Sequence, residues 1–238
     1  MARLVASREE TPSARTLVLH VDGWPGHLPG QHVDVRLTAE DGYQTQRSYS
    51  IASAPDGERV ELTVQRVPGG EVSEYLTGDY PLGAPVEVRG PVGGWFVWRP
   101  GEPDRVLLVA GGSGVVPLMA MIRTRARAGG RSRFRLVYSA RTPVDVYYAG
   151  ELHQRSHEHP WLDVGLLYTR AAPAGHPRPP GRLMPADLLP KAGWEPSNAP
   201  LCYVCGPTGF VEAAADLLVG LGHHPDRIRT ERFGPTGG

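Results

Sequence analysis

Near residue 100 the hydrophobic rhythm of this chain changes period, and that change limits the possible folds more than any other feature of its 238 residues. Before it come short runs in which apolar and polar residues alternate, separated by Gly, Pro and Asp: "RTLVLHV", "HVDVRLT", "QTQRSYSIAS", "RVELTVQRV" and "APVEVRG". A period of two puts every second side chain on one face, as in half-buried strands joined by tight turns. After it, apolar runs alternate with helical patterns: "RVLLVA" with "VVPLMAMIRTRARA", "FRLVYSA" with "VYYAGELHQRS", then "WLDVGLLY", then "LCYVC" with "GFVEAAADLLVGL". Strand and helix in turn predict a parallel sheet with crossover helices. The expected architecture is a six-stranded antiparallel β-barrel of Greek-key type over residues 1–98, a linker "RPGEPD" over 99–104, and an α/β domain over 105–238. The proline-rich "APAGHPRPPGRLMP" falls within the second domain and reads as a surface loop.

Composition removes several function classes. Lys and Arg number 25 against 25 Asp and Glu, so no global charge argues for a nucleic acid or a membrane surface. A local cationic stretch, "RTRARAGGRSRFR", holds Arg123, Arg125, Arg127, Arg131, Arg133 and Arg135. It reads as a solvated helix end or as a docking patch for an acidic partner. The N-terminal "MARLVASREETPSAR" becomes charged before an apolar signal region develops, and no apolar run is long enough to span a bilayer. A soluble, cytoplasmic protein is the expectation. Two cysteines, Cys202 and Cys205, supply neither a disulfide framework nor four thiolates for an iron–sulfur cluster. No repeat is evident.

The most chemical stretch of the second half is "LLVAGGSGVVPLMAMIR", an apolar strand, a glycine turn and a helix. Gly111, Gly112, Ser113 and Gly114 would let backbone amides approach a pyrophosphate at the helix N-terminus. The dinucleotide pattern is half met, because Pro117 stands where a third glycine belongs, and a plain tight turn remains the alternative. The next strand ends on Ser139 and Arg141, where an acid would accept from a ribose hydroxyl and an arginine would favour a 2'-phosphate. NADPH is expected over NADH, unless Arg141 merely pairs with Asp145 or Glu151. The C-x-x-C spacing of Cys202 and Cys205 does not make a redox pair. Cys202 falls within a strand, and residues three apart on a strand face opposite sides. His153 and His157 are spaced to chelate a metal from one helix face, but nothing apolar encloses them; no residue is assigned to a metal.

Three motifs stand in order along the chain: "RSYS", "GGSGVVPL" and "CGPTGF". Together they resemble the ferredoxin–NADP reductase superfamily of flavin oxidoreductases, in particular compact bacterial members related to the reductase components of ring-hydroxylating oxygenases. The resemblance covers nearly the whole chain. It implies that Arg47 reaches the flavin phosphates, that the Tyr49 ring lies along the isoalloxazine, and that the Ser50 hydroxyl points to N5, with Ser48 among the cofactor-binding residues. It implies that Gly70, Val72 and Ser73 of "VPGGEVSEYL" serve a pyrophosphate, which favours FAD over FMN. It places nicotinamide near Cys205, Gly206 and Pro207, with Glu231 and Phe233 as the acid and aromatic of the ending "TERFGPTGG". Plant-type members end on that aromatic, whereas "GPTGG" follows it here. Gly30 and Gln31 of "PGQHVDV", and the segment "RGPVGGWF", match structural positions.

The function so implied is hydride transfer from NADPH, or NADH, to FAD, with Ser50, Cys205, Glu231 and Phe233 at the reacting end. Electrons would then leave to a separate acceptor, a ferredoxin-type protein above all. Two other readings are a flavin- or NAD(P)-binding redox sensor without turnover, and an electron-transfer subunit of a larger oxygenase complex.

Overall fold

The computed structural model describes residues 1–39, 41–78, 80–102, 105–189 and 193–234. Part of the expected linker (103–104) and of the tail after Phe233 (235–238) lies outside them. The chain divides into two units: Met1–Arg99 with Met119–Arg127, and Pro100–Leu118 with Ala128–Gly238.

The first unit is built from six strands, β1 (Ala2–Thr11), β2 (Ala14–Val21), β3 (His32–Thr38), β4 (Gln44–Ser50), β5 (Arg59–Gln65) and β6 (Pro85–Val92), with one short helix, α1 (Glu71–Thr77). They pair in the order β4-β3-β6-β1-β2-β5, every pair antiparallel. An isolated bridge between Ile51 and Leu62 joins the two ends of that order at one point. β6 returns over a long connection to lie between β3 and β1, as a Greek key requires. The alternating positions supply the core: Leu17, Leu19, Val33, Val35, Ile51, Val60, Leu62 and Val64 are buried, and Val72 and Leu76 of α1 join them.

The sixth strand is the N-terminal segment, which the sequence reading did not recognise as a strand. In β1 only Ala2, Leu4 and Thr11 are buried, and the rest is exposed or nearly so. It is held by its ladder to β2, and its charges are paired across the sheet: Arg8 donates to Glu61 at 2.8 Å and Thr16 to Glu10 at 2.6 Å. Backbone pairing overrides a composition with little strand preference.

The expectation of an open cationic patch from Arg123 to Arg135 is corrected. Arg123 is 9% exposed and donates to the Ala52 carbonyl at 2.9 Å and to Glu61 at 3.0 Å. Arg125 and Arg135 are also buried, and Arg135 pairs with Asp163. Arg127 is spoken for as well, by Asp56 at 3.3 Å. Two of the cations are thus buried on α2 and a third on β8, leaving Arg127, Arg131 and Arg133 exposed.

The second unit contains β7 (Arg105–Gly111), α2 (Val115–Ala128, whose later residues count with the first unit), β8 (Arg133–Ala140), α3 (Ala149–Glu158), β9 (Leu162–Tyr168), α4 (Pro185–Leu188), β10 (Leu201–Pro207), α5 (Thr208–Gly220) and β11 (Ile228–Phe233). The sheet is parallel throughout, in the order β11-β10-β7-β8-β9. β7 and β10 are apolar and buried on both faces, as a sheet covered by helices demands. One face packs Leu107, Val109, Val137, Cys202 and Val204 against Val211, Ala214 and Leu218 of α5. β11 is a strand the sequence reading left unassigned, because its polar "IRTERF" becomes ordered only by pairing with β10. The winding of the sheet reverses between β7 and β10, and open α/β sheets collect their ligands beside the carboxyl ends of such a pair.

Candidate active site

In the first unit the site is built on β4. Its residues pair with β3 in strict register, Val35 opposite Arg47, Asp34 opposite Ser48, Val33 opposite Tyr49 and His32 opposite Ser50. Val33 and Val35 are core residues, so Arg47 and Tyr49 share the core-facing side and the serines the other. The Tyr49 ring is half-buried against the core, and burial pushes its hydroxyl up to about 12, with Arg47 pulling the other way. Arg47 is exposed and donates to the neighbouring Gln46 carbonyl at 2.7 Å. Ser48 donates to Asp34 at 2.5 Å. Ser50 differs from both its neighbours: its hydroxyl is buried and has no hydrogen-bond partner among the described residues.

A buried hydroxyl without a partner costs about 1–3 kcal/mol, a cost that a ligand donating or accepting the missing bond would remove. A flavin fits these residues. The fork of Arg47 matches a phosphate, the Tyr49 face suits a flat ring, and the Ser50 hydroxyl donates to a ring nitrogen without adding charge.

In the turn before α1 the Ser73 hydroxyl accepts from the Val67 amide at 3.1 Å and donates to the Gly70 carbonyl at 3.0 Å, which shapes the turn. The Val72 side chain is buried in the core, so Val72 has its backbone to offer a ligand.

Just past the end of β4 lies a polar relay for which the sequence carries no signal. His27 Nδ1 accepts from the Trp24 indole N–H at 3.1 Å, which obliges Nε2 to carry the proton donated to the Ser53 carbonyl at 3.0 Å. Burial lowers the pKa of this imidazole and keeps it neutral. Ser53 in turn accepts from the Glu61 amide at 3.0 Å, fixing the chain just past Ile51.

In the second unit the carboxyl ends of β7 and β10 form a glycine cradle. Gly112 sits at φ 54° with open space where a side chain would project. Gly114 is required for a different reason: a Cβ there would lie 2.1 Å from the Cys205 carbonyl oxygen. Gly111 and Gly206 approach each other under the Phe210 ring, a residue the sequence reading passed over. This bare backbone at the start of α2 suits a dinucleotide pyrophosphate.

Cys205 and Glu231 are register partners on β10 and β11, and the thiol donates to the carboxylate at 3.8 Å. Burial holds the thiol well above its usual range, and the adjacent carboxylate reinforces the effect. Burial also raises Glu231 to about 7, only partly offset by the thiol's hydrogen bond. The pair is therefore a neutral thiol beside a carboxyl poised to hold or release a proton near neutral pH. Phe233 ends the same strand opposite Pro207. The two sulfurs diverge as expected: Cys202 lies in the core, 3.9 Å from His223, and both thiols are free.

Ser139 is buried at the end of β8 beside Gly111, and Arg141 is exposed just beyond it. The two acids that could have neutralised Arg141 are engaged elsewhere. Asp145 accepts from the Thr142 amide and hydroxyl at 3.0 and 2.7 Å, and Glu151 accepts from Arg155 at 2.7 Å. His153 and His157 are exposed, their rings 4.4 Å apart. Among the described residues no helix is long and apolar enough to cross a membrane.

Comparison with known proteins agrees with this geometry. Residues 2–97 match the oxidoreductase FAD-binding domain, and residues 108–216 match the oxidoreductase NAD-binding domain. The chain is 35% identical to the ferredoxin–NADP reductase B of Sorangium cellulosum, over 98% of this chain and 96% of that protein. It is 32% identical to the reductase component of a Ralstonia naphthalene 1,2-dioxygenase/salicylate 5-hydroxylase system, covering 88% of this chain but 61% of that protein. The fold matches the FAD/NAD-binding domain of a Vibrio cholerae nitric oxide dioxygenase with a TM-score of 0.85 at 24% identity, over 98% of both chains. The chain is thus an NAD(P)H-dependent flavin oxidoreductase, and it belongs to the ferredoxin–NADP reductase superfamily.

Proposed function

We propose that the chain takes hydride from NADPH in preference to NADH and passes electrons to a separate ferredoxin-type iron–sulfur protein. The observation that carries the nucleotide preference is Arg141, a cation at the end of β8 with no acidic partner among the described residues. A guanidinium there meets a 2'-phosphate with charge-assisted hydrogen bonds and offers nothing comparable to a ribose hydroxyl.

FAD, when bound, accepts an electron pair as hydride and gives electrons up singly. The remaining work belongs to the protein. Arg47 and the amides before α1 bind phosphates, Tyr49 orients the ring and excludes water, and Ser50 holds a hydrogen bond to N5. The glycine cradle of Gly111, Gly112, Ser113 and Gly114 binds the nicotinamide dinucleotide. Cys205, Gly206 and Pro207 shape the nicotinamide end with little side-chain bulk. Glu231 keeps a proton beside the Cys205 thiol, and Phe233 supplies the aromatic neighbour.

The name of the Sorangium relative supports the acceptor, since that protein is matched along nearly its whole length. The two cysteines of this chain cannot hold a four-thiolate cluster of their own. A second reading, the reductase component of an oxygenase, is favoured by the Ralstonia match, although the chain spans 61% of that relative's length.

Steady-state kinetics with both nucleotides and an artificial acceptor test the preference. Arg141→Ala should lower kcat/KM for NADPH by about 10- to 100-fold, the worth of a charged hydrogen bond, and leave NADH nearly unchanged. An unaltered NADPH/NADH ratio would refute the assignment. Anaerobic stopped-flow mixing of the NADPH-reduced protein with a [2Fe–2S] ferredoxin tests the acceptor, which is wrong if no ferredoxin is reduced.

A further inference from the structure

We propose that His20, Asp22 and Glu58 form a binding site for a first-row divalent cation, Zn²⁺ in the first instance, on the barrel unit. His20 is the penultimate residue of β2, and Asp22 opens the turn that follows it, with its carboxylate 3.1 Å from the His20 imidazole. Glu58 immediately precedes β5, whose first residue Arg59 is the register partner of His20. The Val21 amide donates to the Glu58 carbonyl at 2.9 Å, which fixes the Glu58 backbone beside the other two residues.

The side chain of Glu58 is aimed as well as placed. Its Oε1 accepts from the Gly23 amide at 2.7 Å, turning Oε2 towards His20 Nε2, 3.5 Å away. Asp22 Oδ1 lies 3.1 Å from the same nitrogen, and the three donor atoms fall within 4.8 Å of one another. A cation about 2.0–2.1 Å from nitrogen and oxygen ligands sets neighbouring tetrahedral ligands roughly 3.3–3.4 Å apart. The two spacings from His20 bracket that value, and the two carboxylates lie within 4.8 Å of each other, a gap that small side-chain rotations at the exposed Asp22 and Glu58 can close on a cation. An amide holding the distal carboxylate oxygen is the kind of outer contact that orients a metal ligand.

One imidazole and two carboxylates suit zinc and its first-row neighbours better than a soft ion such as Cu(I). The donors are part-exposed, at 40%, 76% and 46% for His20, Asp22 and Glu58, which leaves the remaining coordination positions to water. The bound cation would tie the end of β2 to the start of β5 and so stabilise the folded barrel against the unfolded chain. The chemistry is independent of the flavin and nucleotide residues.

The test is calorimetric titration of Zn²⁺ into the chelator-treated, FAD-loaded protein at pH 7.5, with melting temperatures recorded with and without the ion. One equivalent should bind and raise Tm. His20→Ala and Glu58→Gln should each weaken binding at least tenfold and abolish the rise in Tm, with flavin content unchanged. His153→Ala/His157→Ala, which removes the histidine pair of α3, should bind as the wild type does. Should either single variant lose its flavin, Asp22→Asn on the most exposed of the three gives the same reading. The proposal is overturned by no saturable binding, by binding that survives the His20 and Glu58 changes, or by binding lost only in the His153/His157 variant.

Discussion

Replacing Ser50 by alanine should act in opposite directions on the two forms of the protein. Without flavin, the Ser50 hydroxyl is shielded from water and has no partner among the described residues, a state that costs about 1–3 kcal/mol. Deleting it removes that cost and leaves a void of one oxygen atom, so the FAD-free variant should be more stable than the wild type by about 1 kcal/mol. With flavin bound, the same hydroxyl makes its bond, and its loss should weaken FAD binding by a similar 1–3 kcal/mol, or roughly 5- to 150-fold. Urea unfolding of the stripped and loaded forms, with FAD titrated by fluorescence quenching, reads both arms. A variant that binds FAD as tightly as the wild type, or whose stripped form is the less stable, would refute the placement of Ser50 at the flavin.

Three further outcomes are expected. Gly114→Ala forces a methyl group to within 2.1 Å of the Cys205 carbonyl, and the overpacking should cost about 2–3 kcal/mol in urea unfolding and depress nucleotide binding; a variant as stable as the wild type contradicts the close approach. Glu231, raised from 4.5 to about 7, holds a proton in the folded state that the unfolded chain releases, so its contribution to stability is full below pH 4.5 and is lost as pH rises to 7. That loss is about 3 kcal/mol, and Glu231→Gln should flatten this part of the pH–stability profile. His27 has the opposite sign: its folded pKa lies below 6.5, so stability present above 6.5 is lost as pH falls, and His27→Gln should reduce the acid sensitivity of the barrel as followed by tryptophan fluorescence.

Both halves of the fold were legible because their periodicities differ and because packing follows periodicity. The alternation of "HVDVRLT" and the apolar "RVLLVA" became β3 and β7 with the burial that each pattern implies. β1 and β11 were not legible, since each is polar along most of its length and is made a strand by a neighbour that local sequence does not reveal. The site divides in the same way. Arg47, Tyr49, Gly112, Gly114 and Cys205 are readable because their chemistry depends on residue type and local backbone. The relay from Trp24 through His27 to Ser53 spans a loop and a strand end, and nothing in "GWPGHLPG" marks that histidine as buried. The direction of Ser73 and the burial of Arg123 likewise depend on which way a helix turns.

The bridge from Ile51 to Leu62 matters for handling as well as for architecture. That one bridge ties the outer edges of β4 and β5 at a single point, and so shortens the bare ladder that another molecule could extend. Light scattering of preparations stripped of pigment reads how far that protection reaches.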